Sequence, residues 1–155
     1  MRARFLLPLV CSVVSSIGGC SPSGSPNIIS PLADQSRPDG CGCFFQVAGA
    51  ASSSPSLYVF WDDYSGHAWV NLLGTDELVI GEAVLRRDPP FALAETVQWI
   101  YRSASSTVVL DLVVTRAPSP QPESCEDEFI GLKGRVSAHH SDRSQSLPVE
   151  GGCGC

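Results

Sequence analysis

The chain has 155 residues, of which 43% are hydrophobic and 17% charged; this composition suits one folded domain and leaves no room for a second. Its formal net charge is −6, and no basic run is longer than the pair Arg86-Arg87, so the sequence lacks the cation clusters that nucleic-acid binding needs. The excess of acidic over basic residues does not indicate a particular binding partner, because acidic side chains on a solvated surface account for it.

The first twenty residues have the pattern of an export signal. Arg2 and Arg4 precede an apolar run from Phe5 to Ile17, which is too short to span a bilayer as a helix but has the length of a signal-peptide core. The run ends in Ile17-Gly18-Gly19-Cys20, with small residues directly before the cysteine. We interpret residues 1–19 as a signal peptide that is cleaved before Cys20.

The segment Ile17-Gly18-Gly19-Cys20 resembles the lipobox of bacterial lipoproteins. The resemblance implies that Cys20 is acylated with fatty acids such as palmitate and becomes the new N-terminus. It also implies that Ser21, in place of an aspartate, directs the protein to the outer membrane. Several acyl chains together hold a protein stably on a bilayer. An ordinary secretory signal with a chance cysteine, or an uncleaved membrane anchor, is the alternative.

Residues 20–40 are predicted to be the acylated cysteine followed by a flexible tether. The stretch from Ser21 to Gly40 holds four prolines and five serines, and little apolar content. If it is flexible, its end-to-end distance is about 25 Å. The folded domain is then expected to occupy residues 41–155.

The rest of the chain consists of short apolar or alternating blocks separated by turn residues. In Thr107–Arg116, for example, every second residue from Val108 to Val114 is apolar, which is the period of a β-strand. Strands are predicted at Phe44–Ala48, Leu57–Trp61, His67–Leu72, Leu78–Leu85, Glu95–Arg102, Thr107–Arg116, Phe129–Ala138 and Ser146–Glu150. Their short connections predict an all-β domain, either a small antiparallel sandwich or an up-and-down barrel of about eight strands.

Two segments of the chain have more than one possible structure. Phe91–Tyr101 is also compatible with a helix. The connection APSPQPESCEDE, from Ala117 to Glu128, is long and proline-rich, and is predicted to be a crossover or a surface loop.

The motif Gly-Cys-Gly-Cys occurs at 40–43 and again at 152–155, where the predicted domain begins and ends. An exported protein meets an oxidising compartment, where disulfides persist. In a strand, cysteines two residues apart face the same side, so two such motifs in neighbouring strands could pair. Five candidates for disulfides follow, and the sequence leaves their connectivity open: Cys41, Cys43, Cys125, Cys153 and Cys155. We favour a bridge from the first motif to the second, or to Cys125, which would join the two ends of the domain.

A metal site is the main alternative for these cysteines. Cu(I) or Zn(II) could be bound by the thiolates of Cys41, Cys43, Cys153 and Cys155. Cys125 and His139-His140 could lie nearby. The spacing lacks the two-residue gap of zinc knuckles, and exported thiols are readily oxidised. A redox-active Cys-Gly-Cys pair is a third possibility, and structural disulfides are favoured over both.

Several polar groups are candidates for chemistry, and each has a simpler explanation. The densest cluster could act as acid and base, but its residue types are those of a hairpin connection: Asp62, Asp63, Tyr64, Ser65 and His67. The run Glu126-Asp127-Glu128 lacks calcium-loop spacing. His139-His140 is predicted to lie in a polar turn, and neighbouring histidines in a strand would face opposite ways. Four aromatic residues could line a groove but are predicted to be core: Trp61, Trp69, Trp99 and Tyr101.

The sequence contains none of the common catalytic motifs, so we expect no enzymatic activity and no cofactor. The expected protein is anchored in the cell envelope by its N-terminal lipid and has a binding or structural role, with an envelope protein or a glycan as partner. The alternatives are a periplasmic Cu/Zn-binding protein and an inhibitor of an exogenous hydrolase. Lysozyme-inhibitor lipoproteins are similar in size and anchor.

Overall fold

A computed structural model of the chain describes residues 27–33, 42–49, 56–62, 66–81, 91–119 and 128–154. Their regular structure is all β, as the sequence predicts, and its strands are joined in antiparallel pairs into one strongly curled sheet. The strands are β1 (Ile29–Ser30), β2 (Gly42–Val47), β3 (Val59–Asp62), β4 (His67–Leu72), β5 (Thr75–Ile80), β6 (Thr96–Arg102), β7 (Ser106–Arg116), β8 (Ile130–His140) and β9 (Arg143–Gly154).

The strand order is that of an up-and-down meander and not of a two-sheet sandwich. From β2 to β9, each strand pairs with the next strand in the chain, and β9 pairs in turn with β2. Within the residues that the structure describes, β5 pairs with β6 at Ile80 and Arg102, and we call this place the seam. The long ladders β7–β8, β8–β9 and β2–β9 form the well-connected part of the sheet.

Alternation along the strands places one face of the sheet in the core. The four apolar residues Val108, Leu110, Leu112 and Val114 of β7 are each at most 1% exposed. In the neighbouring strand β8, the predicted apolar face is also buried, while Lys133 and Arg135 are exposed. Burying such side chains contributes about 1.5–3 kcal/mol each, which makes this core the main source of stability.

Most predicted strands coincide with observed ones, and the bounds of β5 and β9 differ from the prediction. The prediction Glu95–Arg102 matches β6, so the helical alternative for this segment is wrong. β5 begins at Thr75, three residues before the predicted start at Leu78. The β4–β5 turn consists of only Leu73 and Gly74, both with positive φ, and is therefore tighter than the turn expected from GTDE. The last part of that predicted strand, residues 82–85, lies outside the described residues.

β9 is much longer than the predicted Ser146–Glu150. It pairs with β8 on one side and β2 on the other, so its hydrogen bonds extend through Pro148 and the glycines near its end. These residue types are depleted in strands, which is why the pattern conceals the strand. The β8–β9 turn is the pair Ser141-Asp142, and the two preceding histidines therefore lie in β8 and not in the turn predicted for them.

Part of the predicted tether belongs to the folded domain. Ile28, Ile29 and Leu32 are each at most 5% exposed, and β1 pairs with the end of β4. The side chain of Gln145 on β9 accepts hydrogen bonds from the backbone nitrogens of Ile28 and Ile29, at 2.6 and 2.9 Å. Three buried aliphatic side chains outweigh the tether-like composition around them. The other residues of the predicted tether lie outside the described residues.

The connection between β7 and β8 joins neighbouring antiparallel strands, so it is not a crossover. Its residues 120–127 lie outside the described ranges.

Candidate functional site

The two ends of the meander are joined covalently. Cys43 in β2 lies directly opposite Cys153 in β9, and a disulfide links them across a Cα–Cα distance of 4.0 Å. Both residues are at most 1% exposed, and they are 110 positions apart in the chain. The predicted bridge from the first Gly-Cys-Gly-Cys motif to the second is confirmed for this pair, which we call the clasp. Three further disulfide candidates lie outside the described residues: Cys41, Cys125 and Cys155.

The glycines beside the clasp make room for an aromatic ring. Gly42 and Gly154 face each other in the β2–β9 ladder. A Cβ atom on Gly152 would lie 2.8 Å from Cε1 of Phe129, and one on Gly154 would lie 3.0 Å from its Cδ2. The Phe129 ring therefore covers the face that the glycines leave without side chains. Its centroid lies 6.2 Å from that of Phe44 and 5.9 Å from the guanidinium carbon of Arg116, a cation–π contact.

The clasp determines whether Cys43 and Cys153 can bind a metal. As a disulfide, Cys43 and Cys153 offer no thiolate, so the Cu/Zn hypothesis requires their reduction first. Within the described residues, no group of three or more His, Cys, Asp or Glu side chains lies together in a way that could hold a metal ion. His139 is exposed and His140 half-buried, as alternation along β8 dictates.

A second polar group bridges β5 to β7 and β8 close to the seam. The hydroxyl of Ser106 lies 3.2 Å from Oε2 of Glu77 and 2.8 Å from Nδ1 of His140. Ser106 itself is 6% exposed. Because the hydroxyl has one hydrogen, donation to Glu77 leaves Nδ1 of His140 as the donor to the serine oxygen. The result is a chain of hydrogen bonds that runs from β8 through β7 to β5.

This arrangement differs from that of an activated nucleophile. In a catalytic serine site, the imidazole accepts the serine proton and a carboxylate orients the imidazole. Here the carboxylate of Glu77 contacts the serine itself, and the serine is buried. The three side chains therefore connect β5, β7 and β8 through hydrogen bonds.

We expect Ser106→Ala to lower the free energy of unfolding by about 1 kcal/mol, because it removes a partner from both Glu77 and His140. Urea unfolding of the full chain measures the change. Ser105→Ala is the matched control, since Ser105 is exposed and only its backbone nitrogen takes part in the neighbouring turn. Equal effects of the two substitutions would show that the bridge contributes nothing.

The aromatic residues divide between core and surface. Trp99 and Tyr101 are buried, as predicted, and burial raises the pKa of the Tyr101 hydroxyl above its usual value of 10.0. This group therefore stays protonated at physiological pH and is not a base. Trp69 is 45% exposed, so the prediction that it is core is wrong. The side chain of Trp61 lies outside the described residues.

The other predicted polar clusters are only partly described. Asp62 ends β3 and is paired in register with His67 at the start of β4, while residues 63–65 between them lie outside the described ranges. Of the acidic run at 126–128, only Glu128 is described, and it is exposed.

An exposed apolar surface on the β4–β5 hairpin was not anticipated from the sequence. Trp69 faces Leu78 across the hairpin and is followed on the same face by Ile80, while Leu73 forms the turn. Their exposed fractions are 45%, 37%, 56% and 40% in that order. We call these four residues the hairpin strip. In the run Leu78-Val79-Ile80 both faces of the strand are apolar, so the pattern alone cannot say which face is buried.

Within the described part of the chain, no helix has the length and apolar character that crossing a membrane requires. No protein-family model, no curated protein and no solved structure matches the chain.

Proposed function

We propose that this chain is a lipid-anchored protein of the bacterial cell envelope, held at the outer membrane through acylated Cys20. Its domain has a binding or structural role and no enzymatic one. The observation that carries the proposal is the clasp between Cys43 and Cys153, because such a disulfide persists in an oxidising compartment outside the cytoplasm. The export signal and the lipobox-like segment before Cys20 agree with this location.

The position of the polar side chains supports a non-enzymatic role. Ser106, Glu77 and His140 hydrogen-bond to one another between strands. Asn71 is 3% exposed, and its amide nitrogen donates to Asp76 at 2.6 Å within the β4–β5 hairpin. In both places the polar groups connect parts of the fold. A rigid domain that displays its outer faces suits binding to an envelope protein or a glycan.

Replacing the cysteine that carries the lipid tests the anchor. Cys20→Ser is expected to abolish incorporation of labelled fatty acid and to move the protein from the membrane to the soluble fraction. Fractionation with a carbonate wash measures this, and Cys11→Ser, within the predicted signal peptide, is the matched control. Continued membrane association of the Cys20→Ser protein would contradict the lipid anchor.

A further inference from the structure

The hairpin strip is an apolar outer face with no described covering element. In the hairpin register, Trp69 is opposite Leu78 and His67 is opposite Ile80, so Trp69, Leu78 and Ile80 lie on one face, and Leu73 lies at the turn beyond them. Further toward that turn the same face is covered, because the backbone nitrogen of Ala33 binds the carboxylate of Asp76 at 3.0 Å. The segment that contains β1 thus crosses the hairpin next to the strip.

The path of the chain places the strip close to the lipid. The backbone nitrogen of Leu73 donates to the carbonyl of Ile28 at 2.8 Å, so the hairpin turn lies directly beside the start of the described chain at Asn27. From Cys20 to Asn27 the chain can span at most about 25 Å, since each residue adds about 3.3–3.6 Å when fully extended. The strip from Leu73 to Ile80 is itself about 23 Å long. Because β1 is paired with β4, the turn of the hairpin lies no farther from an acylated Cys20 than the chain from Cys20 to Asn27 can reach.

The chemistry of the strip suits a lipid surface. Tryptophan and aliphatic side chains together are typical of faces that enter the interface between headgroups and acyl chains. Arg102 is paired with Ile80 at the seam and is exposed, which places a cation beside the strip in a chain with a net charge of −6. A cation at this position can contact lipid phosphates.

We propose that the hairpin strip, Trp69, Leu73, Leu78 and Ile80, rests on the bilayer that carries the anchor, so that the domain lies on the membrane with one fixed face. The inference depends on the proposed acylation of Cys20. A second copy of the chain is a weaker occupant, because four side chains fall well short of the roughly 20–30 residues per side of a stable protein interface.

Tryptophan fluorescence in vesicles tests the contact. The full acylated chain is reconstituted in phosphatidylethanolamine/phosphatidylglycerol vesicles whose acyl chains are brominated, since bromine quenches indole that enters the interface. Trp61 and Trp99 are present in both the wild type and Trp69→Phe, so the difference in quenching between the two proteins reports Trp69, and Trp99 is only 8% exposed. We therefore expect fractional quenching to be about twofold greater in the wild type than in Trp69→Phe, with Trp69 in the upper 5–10 Å of the bilayer.

A matched pair of variants separates the strip from general surface effects. Leu78→Ser with Ile80→Ser is expected to reduce the quenching of Trp69, whereas Val113→Ser, at a site 39% exposed on β7, is expected to leave it unchanged. Thermal unfolding of each variant establishes that it is folded.

The outcomes distinguish this inference from the proposed function. If the wild type does not float with the vesicles and its Cys20 has no acyl mass, the anchor fails and the inference fails with it. If the protein floats but wild type and Trp69→Phe are quenched equally, only the membrane contact is overturned. The Cys20→Ser chain could instead form a dimer that the Leu78→Ser and Ile80→Ser substitutions abolish. That result would assign the strip to a second copy of the chain and would also overturn the membrane contact.

Discussion

Reduction of the Cys43–Cys153 disulfide is expected to lower the free energy of unfolding by about 5 kcal/mol, the loop-entropy value for a closed loop of this length. The bridge spans 110 positions and joins the first and last strands of the meander. Small domains have a total stability of about 5–15 kcal/mol, so the reduced protein should be partly or wholly unfolded. Thermal unfolding of the full chain with and without reductant, and with and without chelator, measures the loss.

Variants identify the bond responsible. Cys43→Ala with Cys153→Ala should reproduce the effect of reductant, and removal of residues 152–155 should do the same because it deletes one end of the clasp. The substitution of His139 and His140 together by alanine should cost only about 1 kcal/mol, because it removes the hydrogen bond between His140 and Ser106 and leaves the clasp intact. A large loss of stability with chelator alone would overturn the disulfide interpretation and support the metal hypothesis.

Gly151→Ala is expected to lower the free energy of unfolding by about 3 kcal/mol, the upper end for overpacking a well-packed site. Gly151 lies in β9 between Phe45 of β2 and Leu132 of β8. A Cβ atom there would press directly against the carbonyl oxygen of Phe44, which is backbone and cannot swing aside. Urea unfolding of the oxidised protein measures the change.

Gly154→Ala is the comparison for this effect. Its Cβ atom would lie 3.0 Å from Cδ2 of the Phe129 ring, which can rotate slightly, and at an ordinary contact distance of 3.5 Å from the Cα of Phe129, so we expect a cost of about 1 kcal/mol or less. If Gly151→Ala and Gly154→Ala lower the free energy of unfolding by equal amounts, the close approach of the Phe44 carbonyl is not the reason that position 151 requires glycine.

The sequence by itself determined the class of the fold and the chemistry of its ends. Alternation in β7 determined which side chains are buried, because a strand has a period of two and every second residue from Val108 to Val114 lies on one face. The two Gly-Cys-Gly-Cys motifs favoured a bridge between the ends, but five cysteines left the connectivity open, and the pairing of Cys43 with Cys153 comes from the structure. The lipid anchor at Cys20 remains a prediction from the sequence.

Only the tertiary structure decided which neighbours each strand meets. The burial of Ile28 and Ile29 depends on Gln145 and β4, which are distant in sequence, so composition suggested a tether. The length of β9 depends on having partners on both sides, which outweighs the poor strand propensity of Pro148 and the glycines. The exposure of Trp69 was likewise not predictable from the sequence. Leu78, Val79 and Ile80 are all apolar, so the local pattern does not show which face of the hairpin is buried, and the curl of the sheet decides this.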